Sequence, residues 1–472
     1  MPHRRRLQER SQLKSTPKVE SGHDQFLFEQ IFSNQWIQSL LRNSGLEWRE
    51  RIFSPLVTMW VFINQILSQD HSCRLAVSSL VSLRSFLRLP HLSLDTGAYC
   101  RARKRLPLNF IKECARGAAN RLLENFPMDR LCKDFEVLLV DGSEVSLPDT
   151  KENRRLYDSA RRFGLLKARV LGVFSLSSGS LVEFKLGPWL GKGSGEVSML
   201  RSLMGSFKKG QLVVMDRLYG SYIDMALLMN HQIDFVVRQH ASFKKRDGLK
   251  LGKNDWLIEL QCPASGNSHP VGRSFLSELA PKIMVRLLLL HVKRKGFRVK
   301  SMYLMTSLID NKKYSAMELN ELYQSRWHAE VDLRSLKIGL KMDVLRCKTP
   351  EMIEKEAWMH VLAYNMIRVV MAEAGHVHRV KVRQLSFQEC VQLFGSFRTL
   401  CGVASSKRWG EMYTDLLRCL KTRVGNRPGR YEPRLLKHNP QKYNPLRCSR
   451  PQGRKVYCKK GWAYVKRQKD AA

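Results

Sequence analysis

Apolar residues recur every three to four positions through the early part of the chain. QFLFEQIFSNQWIQSLLRN, PLVTMWVFINQIL, CRLAVSSLVSLRSFLRL and FIKECARGAANRLLENF each gather their large side chains on one side of a helix. Pro55, Pro90 and Pro107 fall between them, where a ring and a missing N–H break helical continuity. The pattern predicts an all-α region over 23–130, behind a basic, polar and mobile start over 1–22. After Phe126 the period changes. FEVLLV (135–140), ARVLGVFSLS (168–177) and SLVEFKLG (180–187) are short, rich in β-branched residues and separated by turn signals such as Ser178-Gly179-Ser180. GPWLGKGSGE (187–196) lacks the Gly-x4-Gly-Lys-Ser/Thr spacing of a phosphate loop, so it reads as a flexible connector before a helix over 197–206. QLVVMD (211–216), SYIDMALLMNHQ (221–232) and DFVVRQ (234–239) then read as strand, helix and strand. Three strands followed by helix, strand, helix and strand predict a mixed α/β sheet with flanking helices.

Helical periodicity disappears between about 240 and 308, where KIMVRLLLLHVKRKG and FRVKSMYLMTSLI read as a β-hairpin around Lys295-Gly296. That segment is expected to be a β-rich insertion. Helices return over 316–342, 350–373, 383–396 and 409–421, so a helical region is predicted over 376–425 behind a central α/β domain over 131–375. From Lys421 onward the only acids are Glu432 and Asp470. The segment over 426–472, which includes GNRPGRYEPRLLKHNPQKYNP, is expected to be an extended basic tail.

The stretch YQSRWHAEVDLRSLKIGLK (323–341) predicts a single helix with an unusual face. At about 100° per residue, Tyr323, Arg326, Glu330 and Lys337 fall at roughly 0°, 300°, 340° and 320°. Arg334 and Lys341 land on the same stripe, and Ala329, Leu333, Leu336 and Leu340 form the adjacent apolar seam. One carboxylate among cations and a phenol can bind a divalent ion while its neighbours grip phosphate. A solvated helix face carrying an ordinary ion pair has the same pattern, so this face needs partners from elsewhere in the chain.

Charge selects the partner class. The 472 residues carry 81 Lys and Arg against 42 Asp and Glu, a net +39. A compact chain with that imbalance repels itself unless a polyanion neutralises it, which points to nucleic acid. The longest apolar runs, such as Ile283–Val292, are broken or bounded by charge and too short to span a bilayer. No apolar secretory stretch follows MPHRRRLQER. The 11 cysteines include no Cys-x2-Cys pair, and Cys448 and Cys458 have no second pair to complete a zinc site. A cytoplasmic protein with reduced thiols is expected.

Two aspartates are candidate partners for Glu330. Asp141 closes FEVLLV, with Gly142 allowing a tight turn after it, and Asp216 closes QLVVM. A carboxylate at the C-terminal edge of each of two strands can meet a third from a helix packed across the sheet. Three such groups, with water and a phosphate oxygen, complete the oxygen shells of two Mg²⁺ ions, for which Mn²⁺ can substitute, and two-ion sites run phosphodiester displacement. Each aspartate alone also fits a turn or a helix cap.

Tyr323, Arg326, Glu330 and Lys337 spell Y-x(2)-R-x(3)-E-x(6)-K. That signature resembles the IS-four family of bacterial insertion-sequence transposases, which are DDE enzymes, and Trp327 beside Arg326 extends the likeness. VDGSEVSLPD and VVMDRLYGSY are similar to the family's two aspartate blocks. The motifs cover roughly 135–345. The resemblance implies a ribonuclease-H-like catalytic domain interrupted by a β-rich insertion, with a helical N-terminal DNA-binding domain. It implies Asp141, Asp216 and Glu330 as the metal-binding catalytic triad, and Tyr323, Arg326 and Lys337 as contacts to transposon DNA. It also implies cut-and-paste transposition at terminal inverted repeats by a homodimer in a synaptic complex, acting on double-stranded DNA at the bacterial nucleoid. Family members stack a flipped base on an aromatic late in the insertion. Here the aligned residue is Met302, with Tyr303 next to it, so Tyr303, Trp256 and Trp327 are the stacking candidates. Arg334 and Lys341 are further DNA-contact candidates from the helix face. A nuclease of the same fold without strand transfer, and a non-catalytic transposase-derived DNA-binding protein, are the alternatives.

Overall fold

The computed structural model describes residues 34–44, 51–125, 135–157, 166–189, 191, 194–240, 243, 248–263, 279–291, 301–401, 406–421, 451–452 and 455. The basic start over 1–22, nearly all of the tail over 426–472 with Cys448 and Cys458, and the turn at Lys295-Gly296 lie outside the described residues.

Among the described residues the first elements are five helices: α1 (Asn34–Asn43), α2 (Pro55–Leu67), α3 (Cys73–Phe86), α4 (Gly97–Arg105) and α5 (Leu108–Asn125). The prolines sit where the pattern places them. Pro55 opens α2 behind Ser54, whose hydroxyl accepts from the Val57 N–H at 3.3 Å, and Ser72 caps α3 through Leu75 N–H at 3.1 Å.

The chain then enters a nine-stranded sheet. Its elements run β1 (Glu136–Leu147), α6 (Lys151–Tyr157), β2 (Leu166–Ser175), β3 (Leu181–Pro188), α7 (Glu196–Arg201), β4 (Gln211–Met215), α8 (Tyr222–Asn230) and β5 (Asp234–Arg238). β6 (Leu249–Gly252), β7 (Asp255–Gln261), β8 (Lys282–His291) and β9 (Ser301–Thr306) complete it. The spatial order is β3-β2-β1-β4-β5-β9-β8-β7-β6. β1, β4 and β5 are parallel; β1–β2, β2–β3 and every pair beyond β5 are antiparallel. Alternate residues feed two cores. Val137, Leu139, Leu212 and Val214 face α5 and the later helices, whereas Leu138, Val140, Val213 and Met215 face α7 and α8. With helices on both faces, β4 is buried along its whole length.

The expected insertion is not set apart from the sheet. β9 pairs with β5 through Val236↔Thr306 and Arg238↔Leu304, so the strands from 249 to 306 extend the same sheet. Arg286, 1% exposed, holds this extension to the next segment of chain. It binds Asp255 through two bonds of 2.9 and 2.6 Å and donates to the Tyr314 carbonyl at 2.6 Å.

The predicted helix over 316–342 is divided. α9 (Ala316–Gln324) opens with a Ser315–Glu318 capping box, α10 (Trp327–Arg334) comes next, and a π-helical turn spans Ser335–Gly339. At the joint, His328 and Ala329 bond back only three residues, to the Ser325 and Arg326 carbonyls, which tightens the turn. Beyond the π turn, Lys341 takes the left-handed region at φ 56°. Val344 then bridges in parallel to Ser146, at the end of β1.

α11 (Pro350–His378) runs through the larger core, and α12 (Phe387–Cys401) and α13 (Ser406–Cys419) pack against it. Its Asn365 is fully buried, yet it bonds the Ala115 carbonyl and both the N–H and the carbonyl of Leu181 at 2.9–3.0 Å. One polar group thus ties α5, β3 and α11 together with its own demand satisfied. Among the described residues no helix is long and apolar enough to cross a membrane.

Candidate active site

β1 runs past β4. The β1–β4 ladder stops at Leu139↔Val214, while β1 continues beside β2 to Leu147. Asp141 is therefore mid-strand, opposite Gly172, and not at a strand end as the DGS sequence suggests. Val145 and Leu147 continue the buried alternation beyond it, and that keeps the strand going. Asp141 nevertheless lies just beyond the point where its neighbour departs. Asp216 comes directly after the last residue of β4 and caps a 3₁₀ turn over Arg217–Tyr219, accepting from Leu218 N–H at 2.7 Å.

Glu330 comes from the first turn of α10. Arg326 joins it to Asp141: one guanidinium nitrogen is 2.7 Å from Glu330 and the other 4.0 Å from Asp141. Burial pushes the Asp141 carboxyl up to about 6, Arg326 opposes that, and the Glu330 and Asp216 charges add to it. Asp141 thus feels both of the other acids. Tyr323 is 7% exposed, and its phenol lies within electrostatic reach of Arg326, Arg238 and Asp216.

A cleft of about 290 Å³ opens here. Its walls carry the acids Asp141 and Glu330, the cations Arg334 and Lys337, and the apolar Leu333 and Ile338. Lys337 reaches it from the π turn and donates to Ser143 Oγ at 2.9 Å. The structure thus gathers Asp141, Asp216, Glu330, Tyr323, Arg326, Arg334 and Lys337. Trp327 is 54% exposed on α10, outside the core.

Two candidates lie elsewhere. Lys341, turned by its positive φ, donates to the Gln69 carbonyl at 2.5 Å, in the loop before α3. The straight-helix projection fails there because the π turn changes the angle per residue. Tyr303 packs edge-on to Phe243 at 5.6 Å in the α7–α8 core, whereas Met302 borders the core shared with α9 and α10. Strand alternation therefore turns Met302 toward the Glu330 side of the sheet and Tyr303 away from it. Trp256 borders the α7–α8 core as well. Sequence reading missed Glu196, which sits at the start of α7 against Gly142. The Gly-rich stretch before it reads as a connector, and no spacing links it to Asp141.

The donor set suits a hard divalent cation: oxygen ligands only, in a pocket where one carboxyl is held high by burial and by its acidic neighbours. Among the described residues no three acidic, His or Cys side chains stand close enough to hold an ion as they are placed. Arg326 takes the bridging position between Asp141 and Glu330.

One acid on a strand, a second just past the end of its neighbour and a third on a helix is an arrangement suited to metal-assisted phosphodiester chemistry. The family model described as "Transposase DDE domain" matches residues 133–366, which enclose all three. "Transposase InsG for insertion sequence element IS4" of Escherichia coli (strain K12) is 28% identical over 357 residues, 73% of this chain and 77% of that protein. Residues 133–366 thus match a DDE transposase domain, and the chain as a whole is similar to the transposase of the IS4 element. It is a DNA transposase and a metal-dependent DNA-cleaving enzyme. The "Cryo-EM structure of piggyBac transposase synaptic complex with hairpin DNA" aligns over 84% of this chain and 81% of that one at 10% identity, with a TM-score of 0.42, a likeness too distant to bear on the fold.

Proposed function

We propose that this transposase works by a cut-and-paste route, hydrolysing and then transferring strands at terminal inverted repeats, with Asp141, Asp216 and Glu330 as its metal ligands. The observation that supports it most is the Arg326 bridge, 2.7 Å from Glu330 and 4.0 Å from Asp141, beside an Asp141 that also feels Asp216. A guanidinium drawn between two acids marks where positive charge is wanted. The sheet order β3-β2-β1-β4-β5, with only β1, β4 and β5 parallel, supports a ribonuclease-H-like reading of the catalytic domain over 131–375.

The resident ion is Mg²⁺ in this reading, and when bound it supplies an activated water or 3′-hydroxyl and stabilises the leaving oxygen. The chain's own residues do the rest. Arg326, released from Glu330 and steadied by the Tyr323 phenol, turns to a phosphate oxygen, and its planar fork suits two parallel bonds. Lys337, anchored on Ser143, adds a point charge at the same phosphodiester, with Arg334 next to it. Trp327 offers an exposed ring for stacking at the DNA end. The helices over 23–130 and the tail over 426–472 carry the inverted repeats, and two copies hold two ends at the bacterial nucleoid.

Terminal-inverted-repeat DNA incubated with Mg²⁺ tests this. Wild type is expected to nick and join it, and Glu330→Gln to lose at least about a hundredfold in rate. A mutant that cuts as well as wild type sinks the metal assignment. Nicking without joined products favours the nuclease alternative.

A further inference from the structure

Glu196 occupies a place that no part of the signature names. It opens α7, and its carboxyl lies on the backbone of Gly142, the residue after Asp141. A methyl group at Gly142 would stand 2.2 Å from Glu196 Cδ and 2.3 Å from Oε2, so only glycine lets the acid come this near. Each oxygen has a partner on a different element. Arg169 of β2 donates to Oε1 at 3.3 Å, with its other terminal nitrogen on the Trp189 carbonyl. The Tyr219 hydroxyl donates to Oε2 at 3.3 Å. Tyr219 is 1% exposed and ends the 3₁₀ turn that Asp216 caps, and its phenol lies within electrostatic reach of Glu196, Asp141 and Asp216 together.

We propose that Glu196 is a positioning residue for metal binding: it ties the strand that carries Asp141 to the turn that carries Asp216 and fixes the separation of the two. The strand is held by contact with Gly142 and by Arg169 on the paired β2, and the turn by Tyr219. A brace is needed because the β1–β4 ladder ends at Leu139↔Val214, so no backbone bond joins the two acids beyond that point. Like-charged carboxylates left to themselves separate, and partners behind the ligands typically change metal affinity by roughly 10–100-fold. The proposal rests on Asp141 and Asp216 being metal ligands.

Calorimetric titration of the full chain with Mn²⁺, without DNA, tests it, together with inverted-repeat affinity in chelator and thermal melting. Glu196→Ala is expected to weaken Mn²⁺ binding by about tenfold or more, with metal-free DNA affinity within about twofold of wild type. Glu196→Gln, which keeps the shape and both bonding positions, is expected to restore most of the affinity. Mn²⁺ affinity unchanged in Glu196→Ala, whether or not melting falls, overturns the brace. If that variant does not fold, Tyr219→Phe keeps the buried ring and removes only its bond to Glu196: weaker Mn²⁺ binding supports the proposal and wild-type binding overturns it. Asp141→Asn separates the two levels. Loss of binding there, with wild-type binding in Glu196→Ala, defeats only the brace; wild-type binding in Asp141→Asn defeats both.

Discussion

Arg326 and Asp141 hold opposite positions in the same balance. Arg326 lowers the cost of burying acids, while the acids crowd one another, and the Asp141 carboxyl ends at about 6, above its usual range. A carboxyl raised in the folded state binds its proton more tightly there than in the unfolded chain. Its contribution to stability is present below the unfolded value near 4 and is lost as pH rises through about 6. At pH 7.5 in chelator, Asp141→Asn is therefore expected to melt higher than wild type, by an amount on the order of 1–3 kcal/mol, while losing cleavage. The gain is expected to vanish near pH 4, where wild type carries a neutral group too. Melting curves at the two pH values check it, and a mutant less stable than wild type at pH 7.5 contradicts it. Stability given up for a charged site is the usual cost of catalysis.

At the scale of elements, α10 decides whether Glu330 faces the cleft, and Asp332 decides how α10 sits. Asp332 is fully buried two residues after Glu330, bonded to Arg368 of α11 at 2.5 Å and to Arg383 at 3.0 Å. Arg383 continues to the Leu176 and Ser175 carbonyls at the end of β2. One side of α10 is thereby clamped to the long helix and the sheet, and the other is left for Glu330, Arg334 and Trp327. Asp332→Ala leaves two largely buried guanidiniums without their counter-charge, and a loss of about 3–5 kcal/mol is expected. Denaturant midpoints measure it. A loss under about 1 kcal/mol would mean that water or a neighbour replaces the acid. The helical period of 323–341 makes the active stripe readable from sequence as far as Lys337. The turn at Ser325-Arg326, the π turn and the left-handed Lys341 are not readable, because they arise from packing on β1 and α11 and not from local propensity.

Across the whole molecule, the N-terminal helices meet the catalytic region through α5 and α2 on α11 and, at one edge, through the loop before α3. Lys341 bonds the Gln69 carbonyl, Arg346 the Asp70 carbonyl, and buried His71 lies 5.8 Å from buried His360 of α11, ring to ring. Burial holds both imidazoles at about 4, and the Arg346 charge adds to this in each. A depressed folded value means that stability is present above the unfolded value near 6.5 and is lost as pH falls toward 4. Each ring can cost up to about 3 kcal/mol over that window, and two rings outweigh the opposite effect of Asp141. Net stability is expected to fall between pH 6.5 and 4, with the contact of the Gln69–Ser72 loop on α11 loosening first. Hydrogen exchange at pH 7 and 5 reads this directly. Equal protection of the Gln69–Ser72 segment at both values contradicts it.

By itself the sequence determined what local pattern and composition can carry. Helices around prolines, alternating strands, a polyanion partner from a charge of +39, and an acid among cations on one helix face all come from composition or from neighbours within a few residues. The tertiary structure alone decided the rest. It made the 249–306 strands part of the central sheet, ran β1 past Asp141, placed Tyr303 away from Glu330's side and Lys341 on the Gln69 loop, and brought Glu196 against Gly142. The reason is that sheet pairing and clearance are settled between residues distant in the chain. Gly142 looks like a turn residue when read locally; its missing side chain is needed for a carboxylate 54 positions further on.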